Sequence, residues 1–200
     1  DLVRSRGLGD VYKRQVYTRL INAPRKQVLN YLKKGVPIIL EKYNFKKTIK
    51  LIDFFKIDKN SFIAGKEVIF RFENRRIELD YVLFVNGIPL VAIEVQSDES
   101  DEWEKGLNQL VNYCKLYQKP FKIIQIGLIV ADNIYYFPFD KEIDEKSMNL
   151  IKKKLSIWKP EDERKTENWE KILKAILTEF LNPKVLLEIL KYFTFYKKDE

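Results

Sequence analysis

The sequence predicts an α/β fold, α+β in its arrangement, with one mixed central sheet flanked by helices and a helical extension at the C-terminus. Three observations predict it. Two β-branched and aromatic runs, Leu79–Val85 and Leu90–Val95, flank Asn86-Gly87, a strong short hairpin signal. A helical stripe of Trp103, Leu107, Leu110, Cys114 and Tyr117 follows, and two further apolar runs come after it. The resulting order of helix, strand, hairpin, helix and strand calls for one mixed sheet with covered faces.

The elements follow in order. The first fifteen residues, DLVRSRGLGDVYKRQ, show no amphipathic period and differ from the Lys/Ile/Phe-rich remainder, so residues 1–15 read as a non-native, adapter-derived segment. From Pro24, PRKQVLNYLKK sets Val28, Tyr31 and Leu32 at helical spacing, with proline at a tolerated first-turn position. A second short helix is expected through Pro37–Tyr43, then an apolar segment at Leu51–Phe55. Ser61–Phe72 reads as strand with a turn at Gly65-Lys66. The hairpin is apolar on both faces, which places it centrally. Residues 97–104, SDESDEWE, form a charged connection into the helix from Trp103 to Tyr117. Ile123–Val130 and Ile134–Phe137 are strands joined at Asp132-Asn133. Beyond Asp140 a polar linker carries Lys152-Lys153-Lys154, Trp158 and Pro160, and helices are expected near Asn168–Leu181 and Pro183–Phe193.

Composition narrows the chemistry. The 200 residues are 46% apolar and 33% charged, which suits a globular domain with a real core. There is one cysteine and no histidine, which excludes an internal disulfide, multi-cysteine zinc, histidine-ligated metal and histidine-dependent triads. Catalysis must then come from carboxylates, lysines, amides or tyrosines. The net charge of +8 is uneven: residues 1–76 hold 19 Lys/Arg against 7 Asp/Glu, residues 77–200 hold 18 against 22. A basic half beside a carboxylate-rich half suits binding of a polyanion and its processing with metal. No apolar run approaches the roughly 18 residues of a membrane span.

Asp80 and Glu94, near the two ends of the hairpin, are the candidate metal-binding pair. Register decides whether they cooperate, because strand side chains alternate between faces. A strict two-residue turn pairs positions whose numbers sum to 173, and Glu94 then points away from Asp80. A three-residue loop, or a bulge elsewhere in the hairpin, raises the sum to 174 and puts both on one face. Pro89 lacks a backbone donor, which favours irregular pairing near the turn. Two adjacent carboxylates repel unless a proton or cation sits between them. Mg²⁺ fits such a pair, with Mn²⁺ as an alternative, and the Val95 carbonyl is a candidate third ligand. The competing reading has both residues simply ending exposed strands. Against it, Glu94 closes a run from Gly87 to Ile93 with no charge and no hydroxyl, so its charge needs a partner.

At this hairpin the stretch RRIELDYVLFVNGIPLVAIEVQ resembles the N-terminal endonuclease domain of the R (motor) subunits of type I restriction enzymes, a PD-(D/E)xK nuclease. Upstream IDFFKIDKNSF, downstream QLVNY and the tail NPKVLLEILKYFTFYKKDE extend the resemblance over roughly Val16 to the end. It implies a restriction-endonuclease-like core at 16–145, with 146–200 as linker and helices leading towards an ATP-driven motor beyond Glu200. It also implies a type I site-specific deoxyribonuclease that acts on double-stranded DNA. Partner methyltransferase (M) and specificity (S) subunits would go with it in a prokaryotic cytoplasm, and ATP would be used only by the motor. By the same resemblance Asp80, Glu94 and Gln96 are catalytic, with Asp80 and Glu94 the metal ligands. Gln109 and Tyr113 are the QxxxY pair that orders the site and contacts DNA.

Two positions depart from the family pattern. Leu79 stands where the family has proline, and Gln96 where it has lysine. Gln can hydrogen-bond water or phosphate but brings no charge, and losing one preorganised electrostatic contact costs on the order of 10²–10³ in rate. A catalytically weakened DNA-binding or assembly module is therefore the alternative function. Lys105, four residues before Gln109, is a candidate substitute for the missing charge, and a solvated helical lysine is its simpler reading. Arg75 and Arg76 are candidate phosphate contacts. Glu41 is a candidate additional acid.

Overall fold

The computed structural model describes residues 6–40, 45–72, 74–97, 102–116, 118–139, 147–160 and 169–193. Helices α1 (Arg6–Asn22) and α2 (Arg25–Lys34) lead into a two-stranded antiparallel ribbon, β1 (Val36–Leu40) and β2 (Phe45–Ile49). The main sheet then forms from β3 (Phe62–Phe72), β4 (Arg75–Val85) and β5 (Ile88–Val95). Helices α3 (Glu102–Leu116) and α4 (Gln118–Phe121) cross to β6 (Ile126–Val130) and β7 (Ile134–Pro138). The chain continues through α5 (Ser147–Lys154), β8 (Ser156–Trp158), α6 (Trp169–Ala175) and α7 (Pro183–Glu188). Strand order is β3-β4-β5-β6-β7-β8, so the hairpin is central, as its two-faced apolarity requires. Among the described strands only β5 and β6 run parallel, which is why a helical crossover separates them, so the sheet is mixed.

Two apolar layers enclose this sheet. Leu83, Val91, Ile93 and Leu128 pack with α1, α2 and the C-terminal helices through Leu20, Leu32, Ile176 and Leu187. Val82, Ala92 and Ile129 pack on the opposite face with Leu107, Leu110 and Cys114 of α3 and Ile151 of α5. The α3 stripe read from sequence is thus the buried one, though Tyr117 lies outside the described residues.

Several local expectations are corrected. Residues Arg6–Gln15 are helical and open α1, whose later turns bury Leu20 and half-bury Val16 and Ile21. Gln15 Nε2 donates to the Ile39 carbonyl at 3.3 Å. The helix expected through Pro37–Tyr43 is strand β1 over its described part, because its apolar run pairs with the lysine-rich β2. No turn forms at Gly65-Lys66: β3 runs through in a single register with β4. The stretch read as polar linker contributes α5 and the edge strand β8, whose Trp158 stacks on Phe180 at 5.1 Å. The two C-terminal helices stand where expected, α6 ending in a widened turn in which Leu181 N–H donates to the Ile176 carbonyl.

Arg25 was legible only as one residue of a helix. Its guanidinium is buried and donates to the Ile124, Phe121 and Phe139 carbonyls at 2.6, 2.7 and 3.3 Å. It therefore ties α2 to the chain ends that flank β6 and β7, and it satisfies carbonyls that burial would otherwise leave unpaired.

Candidate active site

The hairpin turn has two residues, with Asn86 at φ 52° and Gly87 at φ 77° and Val85 paired with Ile88. Both φ values are positive, as a primed turn requires. Asn86 is held further: its N–H donates to the Ser61 carbonyl at 2.8 Å and its side-chain amide to the Leu51 carbonyl at 2.8 Å. Were this register kept, Glu94 would face away from Asp80. It is not kept. Pairing shifts between Leu83 and Phe84, from Phe84–Pro89 to Leu83–Val91, so Leu90 is an extra residue in β5. Leu90 and Val91 both point into the same core layer, which absorbs the bulge. Beyond it Tyr81 pairs with Ile93, and the next position sets Asp80 opposite Glu94.

A second irregularity lies at Asp80 itself. Ile77 and Leu79 belong to the α3-side core, whereas Tyr81, Leu83 and Val85 belong to the other, although strict alternation would keep these odd-numbered residues together. The switch falls at Asp80. Its register partner Glu67 has φ 52°, outside the extended conformation, and no ladder pair forms between the two. Strands β3 and β4 thus change face together. Leu79, standing where the family has proline, is fully buried in the α3-side core.

Electrostatics at the pair centre on a buried Glu94 that keeps its proton beside Asp80. Glu94 is 1% exposed. Its carboxyl is pushed up to about 8, first by burial, then by the Asp80 charge and a side-chain hydrogen bond with Asp80. The Asp80 N–H, which donates to Glu94, works weakly in the other direction. Glu94 Oε1 is buried without a hydrogen-bond partner. Asp80 is half-buried, and its Oδ2 accepts the Val95 N–H at 2.7 Å. In a strand the N–H and C=O of one residue point to the same side, so the Val95 carbonyl also lies on the Asp80 side. An oxygen-seeking divalent cation suits this donor set: two carboxylates, one of them with an orphaned buried oxygen, and a backbone carbonyl. Among the described residues no group of three or more Asp, Glu, Cys or His is assembled.

Gln96 follows Glu94 on the α3 side of the sheet. A Cβ on Gly106 of α3 would stand 3.1 Å from Gln96 Cγ and 2.8 Å from Ile129 Cγ2. The helix therefore approaches the strand ends closely, and the Gln96 stem lies in the contact. One turn on, Gln109 Nε2 donates to the Tyr113 hydroxyl at 2.8 Å, and that hydroxyl donates to the Glu78 carbonyl at 3.4 Å. Gln109 and Tyr113 thus hold β4 two residues before Asp80. The helical spacing showed that they share a face; the Glu78 carbonyl, a backbone atom, left no trace in the sequence.

The other candidates lie elsewhere or differently. Lys105 is exposed, and its ammonium is engaged by Glu102 on its own helix. Arg76 pairs with Glu78 at 2.7 Å on an exposed surface. Arg75 opens β4, paired through its backbone with Phe72. Of SDESDEWE, residues 98–101 lie outside the described residues, as does Glu41, while Glu104 pairs with Lys152 at 2.8 Å.

Residues 8–146 match the family described as type I restriction enzyme R protein N terminus. Over 173 residues, 86% of this chain, the sequence is 32% identical to a putative type I restriction enzyme MjaVIIP endonuclease subunit of Methanocaldococcus jannaschii. Over 196 residues, 95% of the chain, it is 30% identical to the putative MjaVIIIP endonuclease subunit of the same organism. It is 27% identical over 158 residues, 76% of the chain, to the type I restriction enzyme HindI endonuclease subunit of Haemophilus influenzae. The aligned stretches cover 15%, 18% and 14% of those three relatives, so the chain spans less than a fifth of their length.

Proposed function

The chain belongs to the family of type I restriction enzyme R protein N-termini, and from that premise we propose that it is a Mg²⁺-dependent endonuclease domain hydrolysing DNA phosphodiester bonds. One observation carries the reading: the Leu90 bulge turns Asp80 and Glu94 to one face, where Glu94 holds its proton against Asp80 and keeps one buried oxygen without a partner. An arrangement merely ending two strands would not need a buried carboxyl so far from its ordinary state.

In this reading Asp80, Glu94 and the Val95 carbonyl hold the ion, with Mn²⁺ able to replace Mg²⁺. Bound there, it would lower the pKa of a water and offset charge building on the scissile phosphate. The residues do the remaining work. The Val95 N–H fixes one Asp80 oxygen, leaving the other for the ion. Gln96 aligns the attacking water or a phosphate oxygen by hydrogen bonding, without adding charge. Tyr113, buttressed by Gln109, holds the β4 segment that presents Asp80, and both are assigned a DNA contact. Arg75 and Arg76 are assigned phosphate contacts, for which Arg76 must exchange Glu78 for DNA; Lys105 would likewise have to leave Glu102 to lend its charge. The substrate is double-stranded DNA, with methyltransferase and specificity subunits as partners in a prokaryotic cytoplasm and ATP used by a motor region elsewhere in the subunit. Among the described residues no helix is long and apolar enough to cross a membrane.

Nicking of supercoiled plasmid by wild type and Asp80→Ala in Mg²⁺ or Mn²⁺ tests this. Equal activity in the two proteins sinks the nuclease reading. The uncharged Gln96 favours a second reading, a DNA-binding or assembly module with a weakened site. It predicts tight DNA binding in both proteins and cleavage only after Gln96→Lys.

A further inference from the structure

Away from the carboxylates, α1 and the β1–β2 ribbon enclose a basic pocket that the chemistry at Asp80 does not use. The cavity, about 270 Å³, is lined by Arg19 of α1, Ile38 and Ile39 of β1, and Lys46, Lys47 and Thr48 of β2. Among the described residues no acidic side chain lines it, and no ion pair or side-chain hydrogen bond engages Arg19, Lys46 or Lys47. The surrounding chain is strongly cationic: residues 16–56 hold ten Lys/Arg against two Asp/Glu. Cations gathered around a concavity suit an anion.

Register indicates what kind. Lys46 pairs across the ribbon with Ile39, and Lys47 with Ile38. Neighbouring residues on a strand leave opposite faces, so the two ammoniums diverge. A single small anion could meet Arg19 and one lysine but not both. A chain of phosphates, with duplex charge at one per about 1.7 Å of axis, meets both. The Thr48 hydroxyl shares the Lys46 face and adds a neutral donor of the kind that contacts backbone phosphates.

We propose that this pocket and the adjoining edge of β2 hold the sugar-phosphate backbone of duplex DNA, with phosphates on both sides of the strand, a second grip on the polymer apart from the Asp80–Glu94 site. The inference rests on the reading of the chain as a DNA-acting domain. It makes the contribution electrostatic and independent of base sequence.

Binding of one duplex oligonucleotide in EDTA is measured against salt. The proteins are wild type, Lys46→Gln/Lys47→Gln, the same pair with Arg19→Gln, and a control, Lys153→Gln/Lys174→Gln/Lys184→Gln, that removes equal charge elsewhere. Each phosphate contact contributes about 0.9 to the slope of log K against log salt. The expected slope is shallower by about 1.8 in the double variant and about 2.7 in the triple. It is unchanged in the control. The double variant keeps the test valid if loss of Arg19 disturbs α1, and thermal melts matching wild type establish folding. A slope that stays at the wild-type value, or falls equally in the control, overturns the proposal, as does wild type that fails to bind duplex. So does a pocket that binds inorganic pyrophosphate while the DNA slope is untouched. Plasmid cleavage by wild type, lost in Asp80→Ala, would keep the nuclease reading alive in each of those cases.

Discussion

Replacing Glu94 by Gln should change how stability depends on pH, and the direction is fixed by the site. In the metal-free fold the Glu94 carboxyl is pushed from 4.5 up to about 8. Below about pH 4.5 the folded and unfolded chains both hold the proton, and this group leaves stability unaffected. Between there and about pH 8 the unfolded chain has released the proton while the fold retains it, so stability falls as pH rises. Above that window both are ionised and the loss is complete. A displacement of about 3.5 units, at ~1.4 kcal/mol each, sets a ceiling of about 5 kcal/mol. Glutamine has nearly the same shape, still donates to Asp80, and does not titrate. Urea unfolding in EDTA at successive pH values measures both proteins. Wild type is expected to lose stability relative to the variant from pH 5 to 8, by a few kcal/mol in order of magnitude. Mg²⁺ should then restore wild type at pH 8, because it stabilises the ionised pair, and leave the variant unmoved. Parallel pH profiles, or equal Mg²⁺ responses, would refute the account of a Glu94 that keeps its proton in the fold.

Other outcomes follow from single contacts. Tyr113→Phe removes the hydroxyl between Gln109 and Glu78 and should cost about 1 kcal/mol in urea unfolding, with faster amide exchange confined to β4 around Glu78–Asp80. Uniform exchange across the sheet would argue that the hydroxyl orders nothing locally. Gly106→Ala forces a methyl to within 2.8 Å of Ile129 Cγ2 and 3.1 Å of Gln96 Cγ, and should cost about 1–3 kcal/mol on thermal unfolding; no loss would mean α3 shifts freely. Gln96→Lys should raise Mg²⁺-dependent nicking by about 10²-fold, and an unchanged rate would remove Gln96 as the limiting feature.

Much of this was legible because the informative signals were local. Asn86-Gly87 between apolar runs needed no tertiary knowledge to be read as a turn, and the Trp103–Cys114 stripe set the buried face of α3. The carboxylate pair was legible as a conditional demand: a longer loop or a bulge, of which the structure has the bulge, at Leu90. What failed depended on partners. Val36–Leu40 is a short apolar run whose strand or helix identity is decided by β2, and Phe45–Ile49 carries two lysines that conceal it. Ser156–Trp158 becomes strand only because β7 offers an open edge. The change of face at Asp80 was invisible because it occurs in two strands at once, beside a glutamate whose positive φ nothing in the sequence announces. Arg25 reads as a surface cation until the carbonyls that surround it are known.

The bulge at Leu90 has a consequence for how this stretch can vary over time. Between Tyr81 and Ile93 the site depends on a parity, the number of residues modulo two, as well as on which residues they are. A protein lacking Leu90 would keep Asp80, Glu94 and Gln96 in its sequence and still present the two carboxylates to opposite sides of the sheet. Residue exchange in the hairpin is thus a graded risk, whereas a one-residue gain or loss is all-or-none. Two losses, or two gains, would restore the parity while leaving a sequence whose spacing no longer advertises the site.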